Sequence, residues 1–223
     1  MSTSALQVAI SVMPALMAGL VETLKISAAG IVVGSALGLL LGVIRGQQFR
    51  YASPAIGFYL HVLRGTPFLV QLYIAYFVLP STGISWLKWD STTAALVALS
   101  IYTSSYVTEI VSGGIRAVPA GQWEGAMACA MNRWQSLRYV ILPQALKLIL
   151  PSLAGVYVNL IKATSIVSVV GITELTRQGE ISILRFPADV LLIYGIVAAI
   201  YFSYCFPALK AVEWLERRAA RGS

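Results

Sequence analysis

Residues 113–143, GGIRAVPAGQWEGAMACAMNRWQSLRYVILP, interrupt an otherwise apolar chain. Arg116, Gln122, Glu124, Asn132, Arg133, Gln135 and Arg138 are spread along the stretch. Side chains of this kind are costly in hydrocarbon, yet apolar runs long enough to cross a bilayer flank the stretch on both sides. An amphipathic insert between two spans is expected to present a surface to a soluble partner.

Composition sets the frame. Of 223 residues, 58% are hydrophobic and only 11% charged, against roughly a quarter charged in a soluble domain. Mean hydropathy is +0.78. The chain therefore reads as an all-α integral membrane protein, one domain over residues 1–223. Its spans are expected at 16–44, 54–80, 92–115, 143–161 and 190–209, with the insert at 116–142. The net charge of +7 does not imply nucleic acid, because the basic residues collect at span ends rather than along a stripe. Cys129 and Cys205 have no neighbour at disulfide or metal spacing, so no metal site is expected and both read as packing residues. The first residues lack a basic leader, and no cleaved signal is expected there.

Within the first span Gly30, Gly34, Gly38 and Gly42 recur every fourth residue and share one helix face. Such a seam admits a second helix closely; packing within the chain and contact with another subunit both fit it. The second span contains His61-Val-Leu-Arg64-Gly65-Thr-Pro67 and then Gln71. Gly65 and Pro67 permit a local break. Arg64 either reaches back to the interface or lines a polar path. His61, the sole histidine, reads as interfacial or packing. Glu109 lies in the third span, where an acid is a functional candidate or an ion-pair partner. Lys162 ends the fourth. The apolar run 163–171 is too short to span and suits a re-entrant or interfacial turn. Glu174, Arg177, Glu180, Arg185 and Asp189 mark an aqueous connection.

Five spans put the termini on opposite sides. Arg45, Arg50, Arg116, Arg133, Arg138, Arg217, Arg218 and Arg221 fall on one side, against Lys88, Arg177 and Arg185 on the other. The positive-inside rule makes the first side cytoplasmic. The N-terminus is then outside, and the tail and the insert are inside.

Two short helices fit the insert. The first starts near Pro119, with Glu124 in its first turn where the helix dipole favours an acid. The second starts at Asn132, whose partner Gln135 three residues on completes a capping box. Gly125 costs the first helix roughly 1 kcal/mol relative to alanine, so packing on a partner is expected to hold it.

Glu124-Gly125-Ala126, then Ala130, Val140 and Leu142-Pro143 stand at the spacing of a known motif, and the segment resembles the EAA loop of bacterial ABC importer permeases. Two positions depart from that pattern: Gly125 replaces alanine, and Ala130 replaces the glycine of the turn. Asn132, tolerant of left-handed geometry, offers a second place for that turn. Arg64-Gly-Thr-Pro67 with Gln71, Gly113-Gly-Ile115, residues 118–124, Ile141-Leu-Pro-Gln-Ala145, Lys162-Ala-Thr-Ser165 and Glu174-Leu-Thr-Arg177 extend the likeness over most of the chain. They are similar to polar amino acid permeases of the histidine/glutamine type. Ser112 replaces an arginine usual before Gly-Gly. Ala163 replaces an acid common between lysine and threonine, which weighs against a cationic cargo.

The resemblance implies a type I ABC importer permease of the bacterial inner membrane, carrying a cytoplasmic two-helix coupling insert. It implies a dimeric path with a second permease copy, identical or paralogous. A pair of ATP-binding cassette ATPases would dock on Gln122, Glu124, Gly125, Ala126, Ala130 and Asn132. An extracytoplasmic amino-acid-binding protein would deliver the cargo, with Arg64, Gln71, Glu109 and Lys162 as polar contacts along the path. The chain has no phosphate-loop motif, so ATP is expected on the partner and no cofactor or catalytic residue on this chain. A membrane enzyme would need a catalytic constellation such as His-Glu-x-x-His or Gly-x-Ser-x-Gly, and neither occurs. A stand-alone carrier or channel would favour internal inverted repeats, which five spans disfavour; a permease of the same type for another small polar solute stays open.

Overall fold

The computed structural model describes residues 5–220, apart from the side chains of residues 215, 216 and 218–220; Arg221 lies outside the described residues. In chain order the helices are α1 (Ala5–Gly46), α2 (Ala52–Arg64), α3 (Phe68–Tyr73), α4 (Ser91–Ala117), α5 (Ala120–Ala128), α6 (Arg133–Ser136), α7 (Leu142–Ala163), α8 (Leu175–Arg185) and α9 (Val190–Ala220). The described residues contain no strand. Four segments are long and apolar enough to cross a membrane, and the sharply bent pair Ala52–Arg64 and Phe68–Ser81 counts as a fifth where its two halves are taken as one span. The fold is all-α.

The expected spans 16–44, 92–115, 143–161 and 190–209 lie inside α1, α4, α7 and α9. The stretch 54–80 is divided by Gly65-Thr66-Pro67. Pro67 has no N–H and disfavours helix in the residue before it, and the Thr66 hydroxyl donates to the Val62 carbonyl one turn back at 2.9 Å. The single histidine is spent locally, its Nδ1 2.6 Å from the Gly57 carbonyl one turn back. Pro80 and Pro143 are each approached through a five-residue π turn, Ile74–Val78 and Leu137–Ile141. A proline inside a helix leaves the carbonyl four residues back without its donor and crowds it. Widening the turn shifts the pairing by one residue and relieves both problems. Asp90 caps α4 by accepting from the Thr93 amide at 3.1 Å; the Thr93 hydroxyl and amide hold its carboxyl below the usual range.

The chain divides into two compact units. The first comprises Met1–Ile31, Phe68–Ser100 and Val158–Leu209. Val8, Val12 and Leu16 pack there with Leu175, Val197 and Ile200. The run 163–171 is a 3₁₀ segment, Thr164–Val170, with Thr164, Val167, Ser168 and Val170 buried and Val169 exposed, closed by Gly171 at φ +87°. Glu174, expected in an aqueous connection, is instead 0% exposed. It caps α8, accepting from Thr176 N at 3.0 Å and Arg177 N at 2.8 Å. The Tyr201 hydroxyl donates to it at 3.1 Å, and Leu175 N donates to Thr23 Oγ1 at 3.1 Å alongside. An acid turned inward to start a helix is satisfied by backbone N–H groups rather than by water.

The second unit comprises Val32–Pro67, Ile101–Tyr157 and Lys210–Ser223. Its core is Val107, Val111, Ile115 and Val118 of the α4 region with Leu137, Ile141, Ala145, Ile149 and Leu153. Here the glycine face meets its partner. A Cβ on Gly38 would stand 2.6 Å from Val107 Cβ, one on Gly42 2.6 Å from Val111 Cβ, and one on Gly46 2.9 Å from Ile115 Cδ1. Gly38 and Gly42 of the seam thus pack within the chain on β-branched residues of α4, and Gly30 packs in the first unit on Leu99.

Candidate functional site

The insert emerges from the second unit as two short helices joined by a tight turn. Ala126 of α5 is buried and Trp123 half-buried, while Gln122, Glu124, Gly125 and Met127 are exposed. The helix thus offers one face outward. No atom lies within 4 Å of a Cβ built on Gly125, so no contact within the chain requires glycine there. The Gln122 amide oxygen accepts from Gln144 Nε2 at 3.1 Å, which ties α5 to the start of α7.

The end of α5 is a Schellman motif. Met131 N donates to the Ala126 carbonyl at 3.2 Å and Ala130 N to the Met127 carbonyl at 2.9 Å. The residue between these bonds and the helix must be left-handed, and Ala130 is, at φ +58°. The turn therefore stays at Ala130 rather than moving to Asn132. Asn132 has another task at φ −72°, where both hydrogen bonds of its capping box with Gln135 are 2.9 Å. A left-handed alanine costs about 1 kcal/mol more than glycine.

Arg133 fixes the insert to the α1–α2 turn. Its Nη2 donates to the Gln47 carbonyl, and its guanidinium lies 5.7 Å from the Phe49 ring and 5.9 Å from the Trp123 ring. A cavity of about 580 Å³ opens beside it, lined by Gln48, Arg116, Trp123, Glu124 and Met127 among others. From the residues alone Arg133 was only one of the positive charges on the basic side; an arginine directly before Trp134 has no local pattern that points to the α1–α2 turn.

The second polar site of this unit is built on Glu109. Its Oε2 lies 2.6 Å from Arg45 Nη1 and 3.3 Å from Arg64 Nη1, and its Oε1 3.7 Å from Arg116 Nη2. Arg45 also donates to Ser112 Oγ at 3.3 Å, and Arg64 lies over the Tyr106 ring at 5.6 Å. The structure thus brings Arg64 and Glu109 together. It adds Arg45 and Arg116, which the sequence presented as positive charges closing a span. The Glu109–Arg116 spacing of seven puts those two on one helix face and was the available signal. Gln71 and Lys162 belong to the first unit. Gln71 is half-buried in α3, and Lys162 lines a largely apolar cavity of about 690 Å³ with Ser165, Thr176, Tyr201, Phe202 and Cys205. Burial pushes the Glu174 carboxyl up, against the Thr176 and Arg177 amides and the Tyr201 hydroxyl, which pull it down. Among the described residues no group of three His, Cys, Asp or Glu side chains is placed to hold a metal.

Residues 34–221 match the family model described as "Binding-protein-dependent transport system inner membrane component". The chain is 37% identical over 205 residues to the glutamine transport system permease protein GlnP of Escherichia coli K12, covering 92% of this chain and 93% of the relative. It is 33% identical to the probable amino-acid ABC transporter permease protein YckA of Bacillus subtilis, over 96% of this chain and 93% of the relative. The L-cystine transport system permease protein TcyB of the same organism is 32% identical, with 93% and 88% covered. Among solved structures, a crystal structure of an amino acid ABC transporter with histidines superposes with a TM-score of 0.86 at 36% identity, covering 98% of this chain and 100% of that one. An inward-facing MetNI methionine ABC transporter superposes at 0.75 with 19% identity, covering 93% and 97%, a likeness of fold.

Proposed function

The chain belongs to the family of binding-protein-dependent transport system inner membrane components, and from that we propose that it is the membrane-spanning subunit of an ATP-driven amino acid importer. The outward face of α5, closed by a Schellman turn and followed by a capped second helix, carries this reading. Its exposed Gln122, Glu124 and Gly125 leave room for a groove on a partner to approach the backbone. ATP-binding cassette ATPases would seat there and bind the nucleotide, since this chain has no phosphate loop. Closure of the ATPases would pull on α5, and Arg133 would carry the movement to the α1–α2 turn. A second copy, identical or paralogous, would complete the path, and an extracytoplasmic binding protein would load it. The N-terminus lies outside and the C-terminus in the cytoplasm in this arrangement.

Arg64, Gln71, Glu109 and Lys162 are the candidate polar contacts of the cargo. Ala163, in the place of an acid common in similar permeases, favours a neutral polar amino acid over a cationic one, in line with relatives named for glutamine and L-cystine. The test is Glu124→Lys in the assembled transporter in liposomes. Uptake and cargo-stimulated ATP hydrolysis are expected to be lost while the chain still inserts. Undiminished uptake would remove the coupling role. A competition panel of glutamine, cystine and arginine against labelled uptake tests the cargo class, and preference for arginine would overturn it.

A further inference from the structure

Three guanidiniums, those of Arg45, Arg64 and Arg116, gather within 4 Å of one carboxylate. Among the described residues Glu109 is the sole acid in ion-pair reach of any of them. Two positive charges are left uncompensated. The position makes this costly: Glu109 is eight residues, roughly 12 Å at 1.5 Å per residue, inside the end of a membrane-spanning helix. Ionised side chains at such depth are normally paired. Arg45 and Arg64 moreover share one oxygen, so the single acid cannot keep the two cations apart. Each guanidinium has five N–H donors, far more than one carboxylate accepts.

These donors border an open space. A cavity of about 530 Å³ is lined by Arg45, Leu60, His61, Arg64, Tyr106 and Glu109, a volume in the range of small-molecule sites. Arg45 is the most enclosed of the three arginines, its side chain 16% exposed, while Arg64 at 43% stands at the opening. The Tyr106 ring holds the Arg64 guanidinium from one side. We propose that this cavity binds one oxyanion, a carboxylate or a phosphodiester, against Arg64 and Arg45, with Glu109 as the built-in counter-ion that organises the cations and competes with the guest. Planar guanidiniums suit such groups because they can donate two parallel hydrogen bonds. The guest is either the carboxylate of a transported amino acid or the phosphate of an anionic lipid of the inner leaflet. The first source rests on the importer reading and the second does not.

The experiment uses the full chain in nanodiscs, assembled either from phosphatidylcholine alone or with phosphatidylglycerol. Native mass spectrometry counts retained phosphatidylglycerol. Labelled glutamine and its α-amide, which lacks the carboxylate, measure the other arm. One of the two guests is expected to be held by the wild type and weakened at least about tenfold by Arg64→Gln, the loss of a charge-assisted hydrogen bond. Glu109→Gln, which removes the competitor, is expected to tighten it. Should Arg64→Gln fail to insert, Arg64→Lys keeps the charge without the planar fork and is expected to weaken binding about threefold to tenfold. Retention of phosphatidylglycerol identifies the lipid; retention of glutamine but not its α-amide identifies the cargo. If neither guest is held, or if the arginine substitutions leave binding unchanged, the site is refuted. Phosphatidylglycerol held in the nanodiscs, with no amino acid uptake by the assembled transporter in liposomes, refutes the importer reading and leaves the anion site standing.

Discussion

Glu109 and Glu174 are both acids that an apolar chain has taken out of water, and they are satisfied in opposite ways. Glu174 is fully enclosed and takes neutral donors, two amide N–H groups and a phenol, that come from its own helix start and from Tyr201. Glu109 is half-open and takes three cations. Neutral donors fixed by backbone geometry make a joint with one arrangement. Long cationic side chains around one carboxylate make a joint with several, because each arginine can leave without unfolding a helix. The first kind holds a fold together, whereas the second suits a place where something enters or moves.

The sharpest way to break that contrast is to remove each acid. Glu109→Ala leaves three like charges together and is expected to cost about 3 kcal/mol, the lower end for breaking a buried pair because the cluster is partly solvated. Adding Arg64→Gln should recover part of that loss, and thermal unfolding of the purified chain across a salt series is the readout. Salt is expected to narrow the Glu109 penalty by screening the three cations. Glu174→Ala should cost about 2 kcal/mol through the donors it leaves without partners, with little dependence on salt. Equal salt dependence of the two would erase the distinction.

A smaller effect separates the two by pH. Because burial raises the Glu174 carboxyl, its protonated form is favoured in the folded chain. The stability it contributes is complete at low pH, below the carboxyl's value in the unfolded chain, and is lost as pH rises through the raised value. Glu174→Gln should flatten that part of the stability profile while keeping an acceptor for the helix start. An unchanged slope would show that the carboxyl is not the source. The last substitution touches neither acid and gauges the method: Ala130→Gly relieves a left-handed alanine and is expected to stabilise the chain by up to about 1 kcal/mol. Destabilisation there would mean that the turn is held by contacts other than its backbone bonds.

How much of this could be read from the residues follows from the range of the forces involved. Hydropathy alone places the long helices, because a bilayer demands apolar length whatever the neighbours are. The Asn132–Gln135 box is equally legible, since both partners are three residues apart. The glycine face was visible and its partner was not: spacing shows that Gly38 and Gly42 share a side, while only packing shows that Val107 and Val111 fill it. Glu174 was read as solvated because Glu, Arg and Asp recur nearby, yet its burial depends on Thr23 and Tyr201, distant in the chain. Arg116 could be read as a partner of Glu109 from their spacing of seven on one helix, whereas Arg45 was legible only as a charge at a span end, because an ion pair leaves no local pattern when its members come from separate helices. The likeness to importer permeases was carried by short motifs, and the family match bears it out.

The glycine face has a consequence for how α1 and α4 are aligned. Gly38, Gly42 and Gly46 oppose Val107, Val111 and Ile115 one for one, with a step of four residues on both helices. A sliding contact of that kind is nearly periodic: shifted by one turn, Gly42 would face Val107 and Gly46 would face Val111, with almost the same shapes in contact. Steric fit therefore selects the face and the closeness of approach, but leaves the axial offset weakly determined. The bond between Arg45 and Glu109 is not periodic, since each helix supplies its member once. It acts as the pin of a ratchet whose teeth are glycines, and the Thr108 hydroxyl, which donates to the Gly38 carbonyl at 3.3 Å, is a second pin that holds the same notch.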